Sequence, residues 1–411
     1  MSTLVANSAK FLVSGAALLR VAQHAQLVAP KNQAMIPVLE RLLLAITPYS
    51  TAHGDGHSLT FTGSDLENRF TSRALPIEYQ GSEAASLCVP GLQLIDLLKN
   101  LPDQPLSVLL DETDKHPYVE IKAVPNALDL IPGYQARACY ELSGEPGGDY
   151  TAPIPLGEVK THITLAGHVL LAALGATHPI TSRDELRPAM TGILVQVNEA
   201  SIAFVATDGH RLVRFSKVDE HVLDGKVRQF IIPRRAAELL LKLVSSRENV
   251  ELSVGASQLL VKMDCGELQI RLIDERFPDY ENVIPLDNPN RFVAHRAELL
   301  AAVRRCGLFC SRSLYQVKLK LDKASCELEA ENREEISKAT ESAPGTYEGK
   351  PLTIGFNANF LRYFLEKMPC QSVRFSMSTD SRAAILTSAD GEDGLLCLLM
   401  PVKINDYNAP Y

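Results

Sequence analysis

The chain predicts an α+β fold made of three similar tandem domains, each with two helices packed on antiparallel sheets. Three observations predict it. A strand-then-helix element recurs at residues 11–20, 163–172 and 292–301. A second recurs at residues 88–98, 231–241 and 354–365. Segments 58–61, 201–204, 316–321 and 326–330 alternate apolar and polar residues with period two, which marks half-buried strands. The repeat spacing, roughly 120 to 150 residues, is too long for a solenoid unit and suits tandem domains.

Each element has a local reason. In two of the second elements Pro90 and Pro233 sit at the strand–helix junction, where the missing N–H costs little. Leu239, Leu240 and Leu241 mark the buried side of one helix, and Leu299, Leu300 and Val303 that of another. With strands of about 5–6 residues, each third has room for six to eight of them. Residues 144–148 through 152–155 are rich in proline and glycine and read as a linker, and residues 286–290 read as a second. The expected domains are 1–158, 159–289 and 290–411. Residues 204–215 read as a hairpin in which Asp208-Gly209 supplies the turn, because glycine accepts the positive φ a hairpin needs.

Composition narrows the function. The 411 residues are 46% hydrophobic and 22% charged, ordinary for a globular protein. No apolar run approaches the roughly 18 residues of a membrane span, and the N-terminus shows no secretory pattern, so a cytoplasmic protein without membrane contact is expected. The eight cysteines form no Cys-x-x-Cys pair, and Cys306 and Cys310 read as core residues sharing a helix face. Residues 53–57, His-Gly-Asp-Gly-His, read as a solvated turn rather than a metal loop. No cofactor and no metal is expected. The net charge of −8 argues against broad affinity for phosphate backbones, so a DNA role needs basic residues gathered on one face. The helices supply candidates: Arg20, Lys99, Arg234, Arg235, Lys242, Arg296, Arg304, Arg305, Arg362 and Lys367. On any one helix these read as a solvated face; their recurrence across the repeats points to a shared basic surface.

Ala206-Thr207-Asp208-Gly209-His210-Arg211-Leu212 resembles the signature of the bacterial DNA polymerase III β subunits, the sliding clamps. Residues 231–240, 271–280 with Val283-Ile284-Pro285, and 398–404 resemble further family stretches in the family's order. The first third matches more loosely, through residues 36–39 and 59–67. The resemblance implies a DNA clamp fold in which two chains join head to tail into a closed ring lined by twelve helices. It implies sequence-independent contact with double-stranded DNA, which permits sliding. It also implies partners that include the DNA polymerase III α subunit and an ATP-driven clamp loader. These would dock through short peptides at a pocket formed by Thr207, Gly209, His210, Arg211, Leu212, Pro278, Val283, Met400, Pro401 and Val402. Arg187, Met190, Asn357 and Phe360 match neighbouring positions. Leucine, methionine, valine and proline make an apolar floor, and Arg211 and His210 suit an extended main chain. Lys403 and Asn282 stand where the family usually has arginine. Extra length falls in residues 49–57 and 144–160. The tail at 405–411 reads as a frayed terminus, with Tyr407 and Tyr411 as the alternative, a cover for the pocket.

Two other readings remain open. A clamp-like protein that binds or sequesters peptides without encircling DNA would fail to dimerise. A hydrolase built on Asp208 and His210 would need a positioned nucleophile, base and orienter, and no such motif is present, so no catalytic residue is expected.

Overall fold

Each third opens with a strand of alternating burial that feeds a helix: Ser8–Ser14 into α1 (Gly15–Gln26), Thr161–Ala166 into α3 (Gly167–Thr177), and Asn290–His295 into α5 (Arg296–Gly307). Each later repeats the move: Ala85–Val89 into α2 (Gly91–Asn100), Arg228–Pro233 into α4 (Arg234–Leu243), and Leu352–Asn357 into α6 (Ala358–Lys367). A computed structural model describes residues 8–51, 54–80, 84–112, 116–123, 138–218, 221–225, 228–323, 325–391 and 393–404. The tail call at 405–411 lies outside the described residues.

The repeat is visible in single hydrogen bonds. The N–H that starts the first helix of each third bonds a carbonyl just beyond its second helix. These bonds are Gly15 to Gln104 at 3.1 Å, Gly167 to Glu248 at 2.8 Å and Arg296 to Gln371 at 2.8 Å. All described strand pairings with a register are antiparallel, and the helices carry their apolar stripes onto the sheets, so the α+β expectation holds. Leu239 and Leu240 are fully buried, as are Leu299 and Val303.

Two compact units form, one of residues 1–168 with 238–272, the other of 169–237 with 273–411. The middle third is divided between them because strands pair across repeat boundaries. In the first unit Gly266–Arg271 pairs with Asn68–Ser72, with Leu268 opposite Phe70. In the second unit Leu395–Leu399 pairs with Arg211–Val218, with Cys397 opposite Val213. That second unit carries a continuous twelve-stranded sheet. The strands equivalent to these partners have open edges among the described residues. Cys139–Ser143 pairs only with Tyr118–Ala123. Within Ser337–Glu348, the stretch 337–344 pairs only with Ser325–Asn332.

Four local expectations need correction. Residues 54–57 are strand, not turn: Gly54–Ser64 pairs with Leu42–Thr51, and Gly56 lies opposite Tyr49. A Cβ on Gly56 would fall 2.7 Å from the Tyr49 hydroxyl, so the glycine makes room for that ring across the ladder. His53 lies outside the described residues. Cys310 does not share a helix with Cys306, because α5 ends at Gly307; both are nevertheless buried. Among the described residues the first two thirds carry ten and nine strands, more than six to eight, because short pieces such as Glu145–Pro146 and His221–Gly225 form separate pairings. The 144–160 segment is not a bare linker either, since Tyr150 packs into a cluster with Val38, Leu39 and Cys88.

Candidate functional site

The hairpin of Ser201–Thr207 and Arg211–Val218 is closed by its own side chains. Asp208 Oδ1 accepts the N–H groups of His210 and Arg211, each at 2.9 Å, and Oδ2 accepts Arg211 Nε at 2.8 Å. Thr207 Oγ1 donates to the Arg211 carbonyl at 2.8 Å and accepts the Gly209 N–H at 3.2 Å. Gly209 sits at φ +87, where a side chain is strained. These bonds employ Asp208 as the clasp of the turn, not as a free carboxylate beside His210.

The turn presents His210 and Arg211 to α6. The Arg211 guanidinium carbon lies 4.2 Å from the centroid of the Phe360 ring and 5.6 Å from that of Tyr363. The His210 ring also stacks on Phe360, ring centroids 6.4 Å apart and planes at 28°. Asn357 caps α6, accepting the Asn359 and Phe360 N–H groups at 3.0 and 3.3 Å, and so fixes where the ring points. Burial pushes the Tyr363 hydroxyl up to about 12, with the Arg211 charge opposing it.

Behind the turn, Leu212 enters an apolar cluster with Leu194, Val205, Phe277, Tyr280, Ala383 and Leu398. The remaining expected residues gather around this floor. A Cβ built on Gly209 would lie 3.8 Å from Arg187 Nη1 and 3.9 Å from Met190 Cε, which places both beside the turn. Arg187 is braced by Asp184 at 2.9 Å, and Met190 is buried. The Met400 N–H bonds the His210 carbonyl at 2.9 Å, so the last strand is laced to the hairpin tip, and Met400 stays half-exposed. Val402 N–H bonds the Gly355 carbonyl at 2.8 Å, carrying Pro401 across. Pro278 and Val283 are exposed on the segment whose Phe277 and Tyr280 are buried in the floor. Sequence reasoning missed Tyr363, Leu398 and Ala383. Tyr363 had a signal, its i,i+3 spacing from Phe360 on one helix face.

The basic candidates fall into two groups. Arg20, Lys99, Arg235, Lys242, Arg362 and Lys367 are exposed on their helices. Within that group Lys99 also pairs with Asp96 and Arg362 with Glu366, each at 3.7 Å, and the remaining candidates make closer contacts within the protein. Arg234 Nη1 bonds the Thr181 carbonyl and hydroxyl at 3.3 and 3.1 Å. Arg296 donates to the Leu365 and Cys370 carbonyls, each at 2.7 Å, closing the end of α6. Arg304 meets Glu366 at 3.0 Å, and Arg305 forks onto Glu341. Among the described residues no helix is long and apolar enough to cross a membrane.

Comparison with known proteins identifies the family and the fold. The family model for the DNA polymerase III beta subunit, central domain, matches residues 164–279, and that for its C-terminal domain matches 281–403, together more than half of the chain. A beta sliding clamp of Pseudomonas aeruginosa is 27% identical over 396 residues, 96% of this chain and 100% of the relative. One of Vibrio cholerae is 26% identical over 377 residues, 91% of this chain and 94% of that protein. The crystal structure of a Pseudomonas aeruginosa DnaN sliding clamp bound to griselimycin superposes with a TM-score of 0.84 at 25% identity, covering 97% of this chain and 100% of that one. A Bacillus subtilis sliding clamp, 21% identical, shares the fold at the same TM-score.

Proposed function

This chain belongs to the DNA polymerase III beta-subunit family, the sliding clamps, and from that premise we propose that it closes around duplex DNA as a head-to-tail homodimer. It is a processivity factor, and its partners in this reading are a replicative polymerase, a clamp loader and other proteins carrying a docking peptide. The reading makes it a non-catalytic, cytoplasmic protein with three domains at 1–158, 159–289 and 290–411.

The pair of open strand edges carries the ring. Within one chain, two repeat boundaries are sealed by the same antiparallel pairing, 266–271 with 68–72 and 395–399 with 211–215. The equivalent donor strand Cys139–Ser143 and the equivalent acceptor stretch 337–344 lack that partner among the described residues. Unpaired edges recruit further strands. A second copy supplies both at once, and a head-to-tail interface that closes after two copies leaves no edge open. Processivity then follows from topology rather than tight binding. The exposed helix cations attract phosphates without reading bases, which lets the ring move.

In this reading the peptide pocket joins the apolar floor around Leu212 to the hairpin tip, where Arg211 and His210 pack against Phe360. An extended peptide places apolar anchors on the floor and main-chain groups on the polar rim.

Native mass by light scattering across a dilution series tests the ring. A mass twice the 45.0 kDa of the chain, stable on dilution, is expected. A persistent monomer overturns the ring and leaves a peptide-binding protein that does not encircle DNA.

A further inference from the structure

The floor around Leu212 ends in a charged cavity. Two residues along the same strand, about 7 Å away, stands Arg214. It lines a cavity of about 460 Å³ with Ser216, Arg374, Thr387, Asp393 and Leu396 among its walls. Leu396 belongs to both places, packing against the Leu212 cluster and lining the cavity.

The ladder explains the arrangement. Arg214 is paired with Leu396, and Arg374 with Thr387, so each arginine shares a sheet face with its partner. The strands of Leu396 and Thr387 are themselves neighbours. Two arginines therefore stand on one face with two strands between them, about 14 Å apart at the backbone. Arg214 is half-buried; its guanidinium reaches the Tyr280 hydroxyl as a hydrogen-bond partner and a nearby charge, but its Nε is enclosed without a partner among the described residues. Neither arginine makes an ion pair among the described residues. Asp393, the carboxylate on the wall, accepts the Leu395 N–H through Oδ1 at 2.9 Å, while its Oδ2 is enclosed without a hydrogen-bond partner among the described residues. Two guanidinium groups thus line the cavity with one carboxylate, which leaves positive charge in excess.

An enclosed guanidinium donor without a partner is costly, and a carboxylate satisfies it best, through paired N–H···O bonds. We propose that this cavity is an acidic-residue subsite: it takes the carboxylate side chains of a docking peptide whose apolar anchor rests on the Leu212 floor. The proposal rests on the peptide reading given above and narrows it, since it selects partners with glutamate or aspartate beside the anchor. The shared Leu396 wall makes one extended segment able to fill both places. The chain's net charge of −8 disfavours acidic peptides elsewhere on the surface, so the preference is local.

The test uses the full chain and three fluorescein-labelled peptides with one apolar anchor sequence. One is flanked by glutamines, one has two glutamates before the anchor, and one has them after it. Anisotropy titration is expected to show one glutamate peptide binding about tenfold tighter than the glutamine peptide, the advantage shrinking as salt rises. In Arg214→Gln and Arg374→Gln, checked for an unchanged melting curve, the ratio between the two peptides falls towards one. Arg214→Glu reverses the preference in favour of a lysine-flanked peptide. Equal binding of glutamate and glutamine peptides to the native chain overturns the subsite and leaves the pocket reading intact, as does an advantage that persists in both glutamine variants. Failure of all three peptides to bind overturns the pocket reading and the subsite together.

Discussion

The guanidinium of Arg211 lies 4.2 Å over the ring of Phe360, joining the tip of a hairpin in the middle third to a helix of the last. The contact holds Arg211 against α6, on the sheet face opposite Leu212, and its ion pair with Asp208 restrains rotation. Phe360→Leu keeps much of the packing and removes the π face. We expect it to weaken peptide binding about three- to thirtyfold, the range of a cation–π contact, while the dimer persists. His210→Ala should act in the same direction. Anisotropy titration and native mass read the two effects separately; dissociation into monomers in either variant would move the pocket elsewhere.

Gly209 is needed for its backbone, not for space. A Cβ there meets nothing closer than 3.8 Å, yet φ is +87. Gly209→Ala should therefore cost about 1–2 kcal/mol through strain, and Gly209→Asn less, because asparagine tolerates the left-handed region. Urea midpoints of the two variants decide it. Equal midpoints would show that the turn relaxes to another conformation.

The ring makes a demand on α5. Leu308 is 81% exposed just beyond that helix, with Phe309 beside it. Arg305 of the same helix grips Glu341 on the open-edged stretch 337–344. In the proposed ring, a second copy pairing with that edge would cover both apolar side chains. Replacing Leu308 and Phe309 together by serine should raise the dimer dissociation constant by at least about a hundredfold, since each apolar side chain contributes about 1.5–3 kcal/mol when buried. Unchanged sedimentation on dilution would place the interface elsewhere.

The same sheet carries an acid-sensitive clasp. Hydrogen bonds from Lys338, at 2.6 Å, and then Lys320, at 2.9 Å, hold the Glu329 carboxyl at about 2. Its folded value lies below the ordinary 4.5. The stabilisation is therefore complete above about pH 4.5 and is lost as pH falls towards 2. Both lysines are about half exposed, so solvent screening limits the contribution to about 1 kcal/mol. Glu329→Gln should flatten the dependence of the urea midpoint on pH between 5 and 2.5. An unaltered slope would assign the acid sensitivity to other carboxylates.

Local signals in the sequence located the helices and the hairpin. Asp208-Gly209 reads as a turn because the turn chemistry lies in adjacent residues, and Leu239 and Leu299 read as core because helical period is local. The floor under Leu212 was only partly legible. Leu398 reaches it by pairing with Leu212, more than 170 residues distant in sequence, and Ala383 arrives just ahead of the strand Ala384–Ser388 that pairs with Leu395–Leu399, which no local pattern encodes. Residues 54–57 misled for a related reason: glycines that signal a turn here serve a ladder in which Tyr49 fills the space opposite. Charge was legible on helices, but its use was not, since Arg296 and Lys367 look alike in sequence.

Those two residues separate charge used within the protein from exposed charge available for the proposed DNA contact. Arg296 spends its fork on the Leu365 and Cys370 carbonyls, whereas Lys367 is exposed at the end of α6. Arg296→Lys keeps the charge but loses the paired geometry, and should cost about 1.5–3 kcal/mol of stability, the range for hydrogen bonds from charged groups. Its salt dependence of DNA binding should match the native chain. Lys367→Ala should leave stability within about 0.5 kcal/mol and reduce the slope of log affinity against log salt by about one. The measurement is DNA retention on the assembled ring across a salt series, with urea midpoints alongside. A lowered slope in Arg296→Lys, or an unchanged one in Lys367→Ala, would reassign which end of α6 faces the duplex.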